Sequence, residues 1–233
     1  MSILQILNWP RHQKALTRIS NHREFEVYVN RANPRKFLSY RAASSRKKAE
    51  FLSVLDAINV DPHNLHFLDL GPGYGDSLDV CQEKGASSVS FTEIDPFFFA
   101  HNRLKKFTTP YRLNHLLKLH LLPARAFNLI WCKGSVVADH AILSERWPIR
   151  IWRFTDWLAR LETLTAPGAH VVICPHWRND GGRRRVQNVR DSIFSRIMFS
   201  HGYGVLPEIP GHNQQPDYPL TYHKTMANPE INS

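Results

Sequence analysis

Apolar residues follow two rhythms along this chain. Short runs with little polar interruption read as buried strands: Leu65 to Leu70, Ser87 to Phe91, Phe127 to Cys132 and Ala169 to Cys174. Longer stretches between them repeat at helical spacing. Tyr40 to Leu55 carries an apolar stripe of Phe51, Leu52, Leu55 and Ile58 with a basic opposite side, and Asp61-Pro62 closes it. Ser77 to Lys84 puts Leu78, Val80 and Cys81 at helix-compatible positions, and Ile149 to Leu164 makes a helix whose Trp152 and Trp157 read as core packing. Ala166-Pro167-Gly168 stops that helix. A turn at Asn179-Asp180-Gly181-Gly182 launches an Arg-rich helix to about His201, and Tyr203 to Ile209 with Leu220 to Lys224 reads as a closing strand pair. Strands alternating with helices predict an α/β fold: a mostly parallel sheet flanked by helices. The expected division is a basic helical extension over 1–60, a core over 61–225 and a tail over 226–233.

The first strand runs straight into Asp69-Leu70-Gly71-Pro72-Gly73-Tyr74-Gly75-Asp76. Glycines permit positive φ and let a ligand approach the backbone, and the helix that follows opens on free N–H groups. The second strand ends in Glu93-Ile94-Asp95. A carboxylate there, about 20 residues past the glycines, is where a dinucleotide fold grips ribose hydroxyls. Glu93 comes first after the strand, and Asp95 is the near alternative. A nicotinamide-type fingerprint would place its third glycine where this chain has Asp76.

The spacing Gly71-x-Gly73-x-Gly75, with Asp69 before it and Glu93 after it, resembles motif I of the class I S-adenosylmethionine-dependent methyltransferases. The resemblance covers about residues 65 to 175. It implies a Rossmann-like sheet ending in an antiparallel strand pair, with an N-terminal helical extension that covers the cofactor or shapes the acceptor pocket. It also implies that Asp69, Gly71, Pro72, Gly73, Tyr74 and Gly75 pass under the methionine and ribose portion of S-adenosyl-L-methionine. The family's third strand and its adenine contact should fall within 108–126, where no acid stands and Asn114 is the stand-in. Lys133-Gly134 follows the fourth strand, at the sheet end where ligands of open α/β folds sit.

In-line methyl transfer depends on holding acceptor and methyl in line, and a hydroxyl acceptor must also lose its proton. Among thirteen histidines, His140 after the fourth strand and His176 after the fifth are the ones the fold argument places. His140 is preferred, because Asp139 adjoins it, and a structural role for either stays open. Asp139 could also serve as a magnesium ligand of the kind some O-methyltransferases use. The fifth strand, though, exits through Pro175-His176-Trp177 with no acid before Asp180. His-x-x-x-His and Cys-x-x-Cys spacings are absent, so no metal is expected.

Charge changes the picture of the partner. The net charge is +10, and residues 1–60 hold eleven Lys or Arg against four Asp or Glu. A second basic cluster runs through Arg183-Arg184-Arg185, Arg190 and Arg196. An anionic partner, whether RNA, a phosphorylated or acidic glycan or an anionic membrane surface, suits that balance, and an ordinary solvated basic face is the plain alternative. Three classes therefore stay open: an O-methyltransferase of a small molecule or glycan, an RNA methyltransferase, and a non-catalytic cofactor-binding protein. No apolar run reaches the roughly 20 residues of a membrane span. Met1-Ser2-Ile3-Leu4-Gln5 lacks a signal peptide's pattern. Cys81, Cys132 and Cys174 read as buried thiols of a cytoplasmic protein. Oligomeric state leaves no signature.

Overall fold

The computed structural model describes residues 41–93, 104, 106–107, 112–113, 119–133, 148–174, 193–206 and 221–227. Within them a seven-stranded sheet carries helices on both faces. In chain order the elements are α1 (Ser44–Ala57), β1 (His66–Leu70), α2 (Asp76–Glu83), β2 (Ser88–Thr92), β3 (Arg112–Leu113), β4 (Phe127–Lys133), α3 (Pro148–Leu164), β5 (Thr165–Cys174), α4 (Ile193–Ser200), β6 (Gly204–Val205) and β7 (Tyr222–Thr225). The sheet order is β3-β2-β1-β4-β5-β7-β6. Strands β1 to β5 run parallel, while β7 is antiparallel to both β5 and β6. This is the mostly parallel α/β sheet that the alternation of runs predicts, with the terminal antiparallel pair that the resemblance implies.

β1 lies in the sheet interior, flanked by β2 and β4, and order reverses across it. Such a reversal opens a crevice beyond the carboxyl ends of the strands. Alternate residues of each strand feed two separate cores. Leu68, Leu70, Ile130, Cys132, Val171 and Ile173 pack on Leu158, Leu161 and Leu164 of α3 and Met198 of α4. Phe67, Leu129, Trp131, Val172 and Cys174 pack on Phe51, Val54 and Leu55 of α1 and Leu78, Val80 and Cys81 of α2. The α1 stripe runs Phe51, Val54, Leu55, Ile58, the i, i+3, i+4, i+7 positions of one helical face. All three cysteines are buried and free. Among the described residues no helix is long and apolar enough to cross a membrane.

The third strand falls within 108–126 as the resemblance implies, though it is only Arg112–Leu113, too short for its pattern to stand out. The start of the fifth strand differs from the expectation. Residues 166–168 do not separate helix from strand, because α3 ends at Leu164 and Thr165 already pairs with Phe127. Between the pairs Phe127↔Thr165 and Leu129↔His170, β4 advances two residues while β5 advances five. The Pro-Gly step is absorbed as a bulge, with Gly168 at φ 73° donating its N–H to Met226 O at 3.1 Å. Trp157 packs, partly buried, on the α3 core.

Candidate functional site

The glycine turn leaves β1 at the point where β2 also ends. Gly71 N–H donates to Thr92 O at 2.7 Å, which locks the two strand ends together. Gly71, Gly73 and Gly75 all have positive φ, at 87°, 56° and 86°. Gly75 caps α2 in the left-handed region, its N–H donating to Pro72 O at 2.9 Å and its carbonyl accepting from Asp79 N–H at 3.0 Å. A Cβ at Gly75 would lie 2.9 Å from Leu104 Cδ2 and 3.4 Å from Phe107. The corner therefore needs glycine for both conformation and space. Pro72 and Tyr74 are partly buried, and Tyr74 packs against the α1/α2 core.

Carboxylates gather around this turn. Glu93, 3% exposed at the end of β2, accepts the Gly73 N–H at 3.0 Å on Oε2. Asp69, 1% exposed, takes the Ser77 hydroxyl on Oδ2, while its buried Oδ1 has no hydrogen-bond partner among the described residues. Burial, helped by the charges of Glu93 and Asp76, pushes the Asp69 carboxyl up to about 8. Asp76 and Asp79 occupy the first turn of α2, both buried. Asp76 accepts the Ser44 hydroxyl, and Asp79 is paired with Lys106 and, at 3.3 Å, with Lys48.

Helix α1 is strapped over this corner by those contacts. Ser44 reaches Asp76, Lys48 reaches Asp79 and, at 3.0 Å, Glu83, and Glu50 forms an ion pair with Lys133. Burial works against the Lys48 charge, yet its hydrogen bonds to Glu83 and Asp79 leave it raised. Lys133 ends β4 beside Cys174 of β5. Burial lowers its ammonium below the usual lysine range, and Arg46 adds to that. Thr221 donates to Cys174 Sγ at 3.5 Å, so the ends of β4 and β5 meet the chain just before β7.

Of the residues singled out from sequence, Asp69, Gly71, Pro72, Gly73, Tyr74, Gly75 and Glu93 form one corner. Lys133 lies at the neighbouring strand end, held by Glu50. Asp95, Asn114, Gly134, Asp139, His140 and His176 lie outside the described residues. The sequence reading missed Ser44, Glu50, Asp79 and Lys106. Only Glu50 left a trace, as the one acid in the otherwise basic stretch 41–55.

A ligand with hydroxyl donors and a positive centre fits this set: glycines open the approach, Glu93 is an acceptor, and Asp69 Oδ1 is an orphaned buried oxygen. No known family model matches the sequence, and no curated protein matches it. Solved structures do resemble the fold. Magnesium protoporphyrin IX methyltransferase (ChlM) of Synechocystis PCC 6803, solved with bound SAH, has a TM-score of 0.54 at 11% identity, over 88% of this chain and 100% of that one. A putative S-adenosyl-L-methionine-dependent methyltransferase (mmp1179) of Methanococcus maripaludis has 0.52 at 10%, over 83% and 91%. A putative S-adenosylmethionine-dependent methyltransferase of Listeria monocytogenes has 0.51 at 13%, over 78% and 99%. The chain thus has the Rossmann-like fold of the class I S-adenosylmethionine-dependent methyltransferases.

Proposed function

We propose that the protein is an S-adenosylmethionine-dependent methyltransferase that methylates oxygen on a small-molecule or glycan hydroxyl. The observation that carries this reading is the charge of the corner. A dinucleotide site sets its pyrophosphate on the helix N-terminus after the glycines. Here that N-terminus is filled by Asp76 and Asp79, with Asp69 and Glu93 close by. These acids disfavour phosphate there, and Asp69, neutral until a cation arrives, favours an adenosyl group bearing positive charge.

The sulfonium cofactor supplies an electrophilic methyl group. In this reading Glu93 accepts the ribose hydroxyls, Asp69 faces the positive end, and the positive-φ glycines clear the approach. Asp95, Asn114 and Gly134 would extend the same site towards the adenine and the acceptor. His140, with Asp139 beside it, takes the acceptor proton, and His176 is the alternative base. α1 covers the acceptor end, where exposed Arg41 and Arg46 suit an anionic acceptor.

Calorimetry of the full chain against S-adenosylmethionine and against NAD tests the reading directly. The expected result is a 1:1 isotherm with the sulfonium and no heat with NAD. Glu93→Gln should weaken that binding about 10–100-fold, the worth of a hydrogen bond to a charged group. Heat with NAD alone would overturn the assignment. His140→Ala should lower turnover and leave cofactor affinity intact. Methyl-labelled cofactor added to fractionated extract then identifies the acceptor pool, with label in RNA overturning the small-molecule and glycan choice.

A further inference from the structure

We propose a divalent-metal site on the β5–β7 strand pair, with His170 Nδ1 and His223 Nε2 as ligands and the Thr225 hydroxyl beside them. Antiparallel register sets His170 opposite Thr225 and Val172 opposite His223. Alternation then puts His170, His223 and Thr225 on one face of the sheet. Lys224, between the two β7 residues, turns to the other face, where it pairs with Glu162 at 3.1 Å and lies over the Tyr203 ring. No ammonium from β7 therefore competes with a cation for the histidine face.

The donor spacing suits a small metal ion. His170 Nδ1 and His223 Nε2 are 2.9 Å apart, and Thr225 Oγ1 is 3.4 Å from the first and 3.5 Å from the second. Two ligands on a tetrahedral zinc at about 2.0–2.1 Å stand roughly 3.3 Å from each other. The three atoms thus form a triangle close to one face of a zinc coordination tetrahedron. Both imidazoles are partly exposed and Thr225 is exposed, so solvent can reach the open side and complete the shell.

Protonation does not stand in the way. Burial lowers His170 and, with the charge of His170 added, lowers His223 to about 4. Both rings are neutral at pH 7 and ready to donate lone pairs. One N–H now lies between the facing nitrogens. Metal entry moves that proton to the far nitrogen of the same ring, giving His170 Nε2–H and His223 Nδ1–H, with no net proton released. The rings, whose planes are within 17° of parallel, must tilt so that both lone pairs converge on the ion.

Among the described residues no group of three or more His, Cys, Asp or Glu is placed for a metal. This site therefore has two strong ligands, and imidazole donors select Zn2+, Cu2+ or Ni2+ over Mg2+ or Ca2+. It is also remote from the glycine turn. His170 is level with Leu129 and Phe67, four residues and about 13 Å of strand short of the Cys174 end. The ion would act on the antiparallel edge of the sheet, not on methyl transfer.

The test uses the full chain, stripped with chelator, and Zn2+ as the probe. Calorimetry should show one equivalent bound with micromolar affinity, weakened at least tenfold in His170→Gln and in His223→Gln and retained in His66→Gln. Zinc should raise the thermal midpoint of the unmutated protein and not that of the His170→Gln/His223→Gln pair. Imidazole 15N resonances of the unmutated chain provide a readout independent of any variant's folding, and His170 and His223 should shift together on zinc addition. No heat, zinc binding that survives the double substitution, or unmoved His170 and His223 resonances would each overturn the proposal.

Discussion

On the α3/α4 side of the sheet, Leu68, Leu70, Ile130, Cys132, Val171 and Ile173 meet Leu158, Leu161, Leu164 and Met198, all of them buried. The alternate residues of the same strands face α1 and α2. There Phe67, Leu129, Trp131 and Val172 share the surface with Asp69, Lys133 and His170. The period of two lets one set of strands serve both ends. On the first face the Lys224–Glu162 pair stays partly exposed, while the second takes Asp69 almost wholly out of water, a placement costly in an all-apolar core. Asp69 shows the difference. It is almost wholly buried and its carboxyl is pushed up to about 8, yet Phe67 and Leu78 near it keep the packing intact.

Substitutions on the two faces should therefore fail in different ways. Leu161→Ala, on the apolar face, should cost about 2–5 kcal/mol of stability, read from the denaturant midpoint. The folded fraction should bind S-adenosylmethionine as before. Loss of affinity in proportion to stability would erase the division between faces. Gly75→Ala should cost less, about 1–2 kcal/mol for a side chain at positive φ, plus the close approach to Leu104. Its cofactor affinity, measured by calorimetry, should fall at least tenfold, because the strain sits in the turn itself.

The smallest effect is the most diagnostic. Asp69 has a folded value of about 8, above its ordinary 3.8, so it is protonated in the ligand-free protein at pH 7. Its contribution to stability is full below 3.8 and falls as pH rises towards 8. A cationic ligand favours the carboxylate, so binding should release a proton below pH 8. Affinity should rise with pH up to that point, by no more than about tenfold per pH unit. Calorimetry in buffers of different ionisation heat reads the proton, and Asp69→Asn should abolish its release.

The parts of this molecule legible in the sequence are those whose residues lie close together along the chain. Asp69, the three glycines and Glu93 span one strand–turn–helix–strand unit, so spacing, together with the family resemblance, places them in one corner. Contacts across the fold left no such trace. Glu50 and Lys133 are 83 positions apart, and Lys106 and Asp79 are 27 apart. His170 and His223, separated by 53, evade any motif built on local ligand spacing. The Pro167-Gly168 step was read by its propensity to break structure. A hydrogen bond from Gly168 to Met226, far along the chain, overrode that propensity.

The strapping of α1 also bears on how the protein is made. Its 14 residues leave the ribosome before any of the strands it rests on, and a helix that short has little stability in water. Phe51 meets Trp131 edge-on at 5.1 Å, and Glu50 meets Lys133, so neither anchor exists until β4 has been synthesised. β1 likewise waits for β4 to cover its open side. The nascent chain must therefore carry an unfinished β1 and an undocked amphipathic helix from Leu70 until Lys133 has been added, a window in which a chaperone would find both exposed.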